Sequence, residues 1–155
     1  MAKARGTGYL RAKLRHAVFT RTADRLTLGA LGRRHRAQEI DVRSVDLRVP
    51  AWPKAYDGVR IAHLSDFHLG HLMPVERAID AVERLALLRP DLVACTGDVV
   101  DLEPDGADAL LAAMGAMPAA LGRYLVLGNH DHLADGHALV RTAEACGLRV
   151  LHGRV

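Results

Sequence analysis

Four short apolar runs, separated by stretches of helical periodicity, form the main pattern along the chain. Each run is largely apolar rather than alternating, which is typical of a buried parallel strand. The predicted strands cover residues 59–64, 91–96, 123–127 and 148–151. Apolar residues between them recur every three or four positions, and the predicted helices begin near Pro74, Ala107 and Ala138. This β-α-β-α-β-α-β order predicts an α/β fold with a parallel sheet and right-handed crossover helices.

A further strand is predicted just before the first of these runs. Residues 44–49 alternate apolar and polar side chains and end at Pro50, a pattern that favours an edge strand with one wet face. The character of the chain changes at this point. We therefore divide the sequence into a basic N-terminal segment, residues 1–43, and a domain that covers residues 44–155.

The N-terminal segment has a weak helical pattern of its own. Leu10, Leu14 and Val18 recur at helical spacing among lysines and arginines. Two interpretations remain open. The segment is either a basic amphipathic helix suited to an anionic membrane surface, or a solvated tail or helix that lies on the domain.

Charge is distributed unevenly between the two parts of the chain. Residues 1–49 hold 12 Lys and Arg against 4 Asp and Glu, whereas the remaining 106 residues hold 9 against 14. A cation site made of carboxylates would contribute to the net negative charge of residues 50–155, and so would ordinary carboxylates on the surface. The basic run at 33–36 lacks interleaved aromatic residues and any nucleic-acid-binding motif, so nucleic acid is not expected as a partner.

Composition indicates a globular chain with an aliphatic core, since 50% of its 155 residues are hydrophobic and only 4% aromatic. Cys95 and Cys146 show no pairing pattern, and we interpret them as small hydrophobic residues in a reducing compartment. No apolar stretch approaches the roughly 20 residues of a membrane-spanning helix, and residues 26–32 are too short for a secretory signal. We expect a cytoplasmic protein, either free or peripheral at the inner membrane.

Polar clusters follow the first three predicted strands. Asp66 and His68 come after the first, Asp98 and Asp101 after the second, and residues 128–132 after the third. Because ligands of open parallel sheets bind at the carboxyl ends of the strands, we expect these clusters to form one site. Carboxylate and imidazole donors together suit a divalent cation and favour manganese, iron or zinc over calcium.

In this order, Asp66-x-His68, Gly97-Asp98-x-x-Asp101 and Gly128-Asn129-His130-Asp131 resemble the first three signature motifs of the calcineurin-like metallophosphoesterases. Within this family, the chain most resembles the YkuE-like bacterial phosphodiesterase branch. The resemblance lies in the segment Leu-Ser-Asp-Phe-His-Leu-Gly, the preceding Trp-Pro-Lys and the basic N-terminus. The match runs from about residue 44 to the C-terminus. It implies the first half of a metallophosphoesterase-type α/β sandwich.

The resemblance also implies an activity and its metal ligands. Two divalent metal ions would activate water to hydrolyse a phosphomonoester, phosphodiester or pyrophosphate bond in a phosphorylated small-molecule or lipid-derived substrate. Asp66 and His68 would bind the first metal. Asp98 would bridge both metals, and Asn129 would bind the second.

Other residues near these motifs receive different roles. By resemblance, His130 approaches the scissile phosphate to stabilise charge or protonate the leaving oxygen, and Asp101 orients it. Asp131 is interpreted as a residue that fixes its loop through hydrogen bonds. His71 and His132 are interpreted as loop or rim residues, and His63 as a structural histidine on the opposite side of its strand.

The sequence departs from the family pattern in one large respect. Complete members continue into a second half, which supplies three further histidine ligands, including those of a Gly-His-x-His motif, and a second sheet that packs on the first. His152-Gly153 has the reverse order, so we assign it no ligand role. With only Asp98 and Asn129 for the second metal, we expect weak metal binding. Helices should cover one face of the sheet and leave the other for self-association or a partner.

Two alternatives to a self-sufficient phosphoesterase remain. The first follows from this departure: the chain is a truncated, non-catalytic remnant or a subunit that needs a partner chain to complete the fold and the site. The chain alone would then be weakly active or inactive. An aspartyl-phosphate mechanism at Asp66 is disfavoured, because dehalogenase-type sites use Asp-x-Asp and the second position here is His68.

Overall fold

The computed structural model describes residues 7–16, 18 and 22–151. Its strands are β1 (Ile61–Leu64), β2 (Leu92–Cys95), β3 (Gly122–Leu125) and β4 (Arg149–Val150). They form one parallel sheet in the order β1-β2-β3-β4. All four predicted buried strands are therefore present, somewhat shorter than predicted, and the parallel α/β class is confirmed.

The register of the sheet brings the carboxyl ends of its first three strands level. Leu64 pairs with Cys95, and Cys95 pairs with Leu125. Main-chain hydrogen bonds continue the alignment just beyond the strands, from Thr96 N to Leu64 O (2.9 Å) and from Val126 N to Cys95 O (3.0 Å). The first loop (residues 65–74), second loop (96–106) and third loop (126–128) consequently begin side by side at one edge of the sheet.

The helices are α1 (Thr7–His16), α2 (Ala23–Leu26), α3 (Ala30–Arg36), α4 (Val75–Leu87), α5 (Ala107–Ala116), α6 (Asn129–Ala134) and α7 (Gly136–Ala145). The three predicted crossover helices correspond to α4, α5 and α7. They form one layer, in which α5 contacts both α4 and α7. The short helix α6 was not predicted, because six residues are too few for a helical period to stand out from the polar motif they contain.

The main core lies between this helix layer and the sheet. Leu110, Leu111 and Met114 of α5 are fully buried in one cluster with Val93 and Leu125 of the sheet. Close packing is needed here, since a Cβ on Gly115 would lie only 2.0 Å from the carbonyl oxygen of Cys146. Met114 and Met117, just after the end of α5, are both buried in this core.

The opposite face of the sheet is open in the described part of the chain. In β1, Ala62 and Leu64 are buried under the helices, whereas Ile61 and His63 point away and are exposed. Consecutive right-handed crossovers that move in one direction place all their helices on one side, which explains this asymmetry.

The N-terminal helices lie on the domain. Tyr9 of α1 is buried against Leu102 and Leu133, and Lys13 forms an ion pair of 3.5 Å with Glu103. Leu10 and Leu14 of the same helix are exposed. The described part of α1 therefore agrees with the interpretation of a helix packed on the domain, and its leucines face away from the core.

The prediction of an edge strand at residues 44–49 is wrong. The segment has no sheet partner among the described residues, and Val45, Leu47 and Val49 are all exposed. Alternation specifies which side of a strand would be dry, but a strand also needs a neighbouring backbone to bond. Among the described residues, no neighbouring backbone pairs with residues 44–49 in this way.

Within those same ranges, no helix has the length and apolar character that a membrane crossing requires. Both cysteines are free thiols, with Cys95 buried and Cys146 half-buried.

Candidate metal centre

The second and third loops touch through two glycines, and this contact builds the centre of the site. A Cβ on Gly97 would lie 2.4 Å from Gly128 N, and a Cβ on Gly128 would lie 2.1 Å from Oδ1 of Asp98. No larger residue fits at either position without movement of the backbone. The glycines of the two motifs are therefore required by the approach of the loops, which brings the Asp98 carboxylate against the start of α6.

Main-chain hydrogen bonds join the first loop to the second. The N–H of Asp66 donates to Gly97 O (3.0 Å), and the N–H of His68 donates to Asp98 O (2.9 Å). A parallel bridge between Leu69 and Val100 continues the pairing. The side chains of the two motifs are thus placed by backbone bonds.

Three of the predicted metal ligands have left-handed backbone conformations. The φ angles are 55° at Asp66, 46° at His68 and 52° at Asp98. Such conformations are uncommon for residues with a side chain, although Asp and His adopt them more readily than most. Strained residues of this kind persist where surrounding structure holds them, and they cluster at functional sites.

The donor atoms of these three residues converge. His68 Nε2 lies 3.6 Å from Asp66 Oδ1 and 3.8 Å from Asp98 Oδ2, and one donor atom from each of the three lies within 4.8 Å of the others. Two donors that each lie roughly 2.0–2.2 Å from one ion can be up to about 4.4 Å apart. The donor types and spacing therefore fit a divalent cation.

His130 lies in α6, directly after the third loop, and contacts both of the other loops. Its main-chain N–H donates to Asp98 Oδ1 at 2.9 Å, and its ring Nδ1 lies 3.0 Å from the carboxylate Oδ1 of Asp101. The ring packs edge-on against that of His68, with centroids 4.6 Å apart. The structure thus brings His130 and Asp101 together as the sequence predicted.

A second group of donors overlaps the first. His68, Asp101 and His130 also offer ligand atoms within 4.8 Å of one another. His68 is common to both groups, so the structure offers a second cation position in which Asp101 and His130 would be ligands rather than a catalytic pair. The roles assigned to these two residues remain predictions.

Asn129 and Asp131 flank His130 and differ in burial. Asn129 is the first residue of α6 and is exposed, directly after the glycine that contacts Asp98. Asp131 is fully buried, and its two oxygens accept hydrogen bonds from Val100 N (3.1 Å) and Gly128 N (2.9 Å). Burial raises the pKa of the Asp131 carboxyl. Asp131 therefore fixes the second loop to the third.

Sequence reasoning missed a hydrogen-bonded chain that reaches Asp66 from the open face of the sheet. His63 Nε2 lies 2.9 Å from Thr96 Oγ1, Thr96 donates to Ser65 Oγ at 2.9 Å, and Ser65 donates to Asp66 Oδ2. His63 is satisfied as predicted, and its partner Thr96 directly follows the neighbouring strand β2. Only the pairing register, which the sequence does not state, would have revealed it.

The remaining candidates lie away from the converging donors. His71 Nε2 bonds Asp24 Oδ2 at 2.7 Å, and this hydrogen bond is the main reason that the pKa of Asp24 falls below its usual range. His132 is exposed on α6. Burial raises the pKa of the Cys95 thiol to about 11, so it stays protonated near neutral pH. His152 lies outside the described residues.

Comparison with known proteins agrees with this site. The model of the calcineurin-like phosphoesterase family matches residues 59–150, which include all three motifs, and the chain belongs to that family. Membership implies divalent metal ions, for which the converging donors provide candidate ligands.

Three similar proteins illustrate the range of the family. The chain is 30% identical over 126 residues to a "Transmembrane protein with metallophosphoesterase domain" of Danio rerio, covering 81% of this chain and 29% of that protein. It is 30% identical over 98 residues to the "Uncharacterized metallophosphoesterase YkuE" of Bacillus subtilis, covering 61% of this chain and 34% of that protein. It is 31% identical over 99 residues to the "UDP-2,3-diacylglucosamine pyrophosphatase LpxG" of Chlamydia trachomatis, covering 61% and 30%.

The chain therefore spans about a third of the length of these relatives. The similarity to YkuE agrees with the branch that the sequence motifs predicted.

Proposed function

We propose that this chain supplies the metal-binding loops for hydrolysis of a phosphomonoester, phosphodiester or pyrophosphate bond at two divalent ions, manganese, iron or zinc. The observation that carries the proposal is the convergence of Asp66, His68 and Asp98 from two neighbouring strand ends, with donor atoms within 4.8 Å. Family membership supports the general reaction class.

When bound, such ions would activate a water molecule and neutralise charge on the phosphoryl group. Asp66 and His68 would hold one ion, and the Asp98 carboxylate would be a ligand of both ions. Asp98 Oδ1 bonds the His130 N–H while Oδ2 faces His68, so the carboxylate is fixed with lone pairs free on both oxygens. Asn129 would add a neutral oxygen at the third loop.

His130 is the group proposed to act on the substrate. Its Nδ1 lies 2.9 Å from the main-chain oxygen of Asp101 and 3.0 Å from the carboxylate Oδ1 of the same residue, and these two acceptors fix the orientation of the ring. The Nε2 of that ring would donate a proton to, or stabilise charge on, the leaving oxygen. Asp101 is then a positioning residue.

A lipid-derived phosphate or pyrophosphate is the substrate class that we favour. The name of the similar Chlamydia trachomatis protein, a UDP-2,3-diacylglucosamine pyrophosphatase, supports this choice. Ordinary small phosphate esters are the alternative class.

The test combines metal uptake with turnover. The purified chain should bind manganese, measured by metal analysis after dialysis, and should hydrolyse bis-p-nitrophenyl phosphate in a reaction that a chelator stops. Asp98→Ala should remove both properties. Asp105→Ala, an exposed carboxylate of the second loop, is the matched control and should retain both.

Two results would contradict the proposal in different ways. Metal uptake equal in Asp98→Ala and the parent chain would exclude the assigned centre. Metal uptake without turnover would favour the alternative of a subunit that needs a partner chain to complete the site.

A further inference from the structure

The connection between α2 and α3 exposes three leucines at a tight turn, which we call the leucine turn (Leu26, Leu28 and Leu31). Leu26 and Leu28 are 81% and 85% exposed, and Leu31 is 48% exposed. Leu28 has a left-handed φ of 52°, and Gly29 follows with a φ of 78°. Single exposed leucines are ordinary, but three within six residues form an apolar protrusion that calls for a partner.

The leucine turn is surrounded by positive charge. Arg25, Arg33 and Arg34 are exposed beside it, and Arg33 Nη1 donates to Leu28 O at 2.8 Å. The nearby acidic residue, Asp24, is directed inward, where it accepts from Gly32 N (2.7 Å) and bonds His71. The outer surface of the turn therefore combines leucines with arginines, and its carboxylate faces the protein.

Helix α1 has the same combination on its outer face. Leu10 and Leu14 lie four residues apart and so share one side of the helix, where both are exposed beside exposed Arg11. The other side carries buried Tyr9, which packs on Leu102 and Leu133. The helix is thus anchored through Tyr9 and turns its leucines outward.

Both elements are attached to the rim of the metal centre. Asp24 bonds His71, and His35 Nδ1 lies 3.2 Å from Leu72 O, both in the first loop. Tyr9 donates from its hydroxyl to Glu103 in the second loop. A surface on which the leucine turn rests would therefore lie next to the loops that carry the candidate ligands.

We propose that the leucine turn and the outer face of α1 dock onto the surface of an anionic lipid bilayer. Leucines that insert at the boundary of headgroups and acyl chains, with arginines beside them at the level of the headgroups, are typical of interfacial binding. Each arginine near an anionic surface adds about a fivefold preference. Nucleic acid would contact the arginines but would leave the leucines exposed to water. A second copy of the chain would bring arginines against arginines, and like charges repel.

The test is flotation of the full chain with lipid vesicles in the presence of a chelator, so that the result does not depend on the metal centre. The chain should float with phosphatidylcholine vesicles that contain phosphatidylglycerol and not with phosphatidylcholine alone, and added salt should weaken the binding. The double variant Leu26→Ser/Leu28→Ser should lose at least about tenfold in partitioning. Leu87→Ser, which changes a leucine 81% exposed at the end of α4, should bind like the parent.

All these leucines are exposed, so the variants should keep the circular dichroism and unfolding midpoint of the parent chain, which is checked first. Absence of flotation, equal flotation of the double variant, or equal binding to neutral vesicles would overturn the proposal. Dimerisation that the double variant abolishes, without vesicle binding, would assign the surface to a second copy and would also overturn it.

Discussion

The main-chain N–H of His130 donates a hydrogen bond of 2.9 Å to Oδ1 of Asp98, so a candidate metal ligand from the second loop also holds the start of α6. The bond forms because Gly128 lets the third loop approach the carboxylate more closely than any side chain would permit. The position of His130 is therefore coupled to the position of a ligand. Changes in this contact should affect metal binding and His130 together.

The first prediction concerns this close approach. Gly128→Ala should reduce metal affinity at least about tenfold and destabilise the fold by about 1–3 kcal/mol, because the new methyl group must displace the Asp98 carboxylate or the loop. Metal titration and urea unfolding measure the two effects. Gly70→Ala is the control, since its Cβ would meet nothing closer than 3.7 Å. Unchanged metal affinity in Gly128→Ala would show that the approach is dispensable.

The second prediction concerns the buried brace between loops. Asp131→Asn replaces one of two accepting oxygens with an NH₂ group that faces an N–H donor, so it should cost about 1–3 kcal/mol of unfolding free energy. The exposed change Asp105→Asn should stay within about 0.5 kcal/mol of the parent in the same denaturant series. Equal stability of the two variants would mean that the bonds to Val100 and Gly128 contribute little.

A third prediction separates a positioning role of Asp101 from metal ligation. Asp101→Asn removes the carboxylate charge that lies 3.0 Å from His130 Nδ1, while the main-chain oxygen of residue 101 remains 2.9 Å from that atom, so kcat should fall roughly 10–100-fold with little change in KM. Manganese content should remain at the level of the parent chain. A parallel loss of manganese would instead assign Asp101 to the second donor group, with His68 and His130.

The fourth prediction concerns acid. The hydrogen bonds from His71 and Gly32 hold the pKa of Asp24 below its usual range. A carboxyl whose folded pKa is lowered stabilises the structure above the unfolded pKa, and that contribution disappears as the pH falls through the folded value. The bonds by which Asp24 joins α2 to α3 and to the first loop should therefore weaken in acid, below the ordinary aspartate range.

The amide chemical shift of Gly32, whose N–H bonds Asp24 at 2.7 Å, is the readout for this change. It should titrate with the lowered pKa in the parent chain and lose that titration in Asp24→Asn. Asp105→Asn should leave the curve unchanged. A midpoint at or above the ordinary aspartate value would contradict the assignment.

The order of strands and crossover helices was predictable because burial on both faces leaves a continuous apolar run, which needs no knowledge of neighbours. The strand prediction at residues 44–49 was wrong, since an alternating segment becomes a strand only if a partner backbone is available to hydrogen-bond with it. Helix α6 was missed because its six residues are dominated by the polar motif.

The sequence by itself determined which residues would meet: apolar runs that end in Asp66 and Asp98 must bring those carboxylates to one edge of a parallel sheet. Tertiary structure alone decided how they meet. The glycine contact between the loops, the buried bond from Val100 to Asp131 and the Asp24–His71 hydrogen bond all join residues far apart in the chain. Such contacts depend on register and on the approach of one backbone to another, and a linear pattern carries neither.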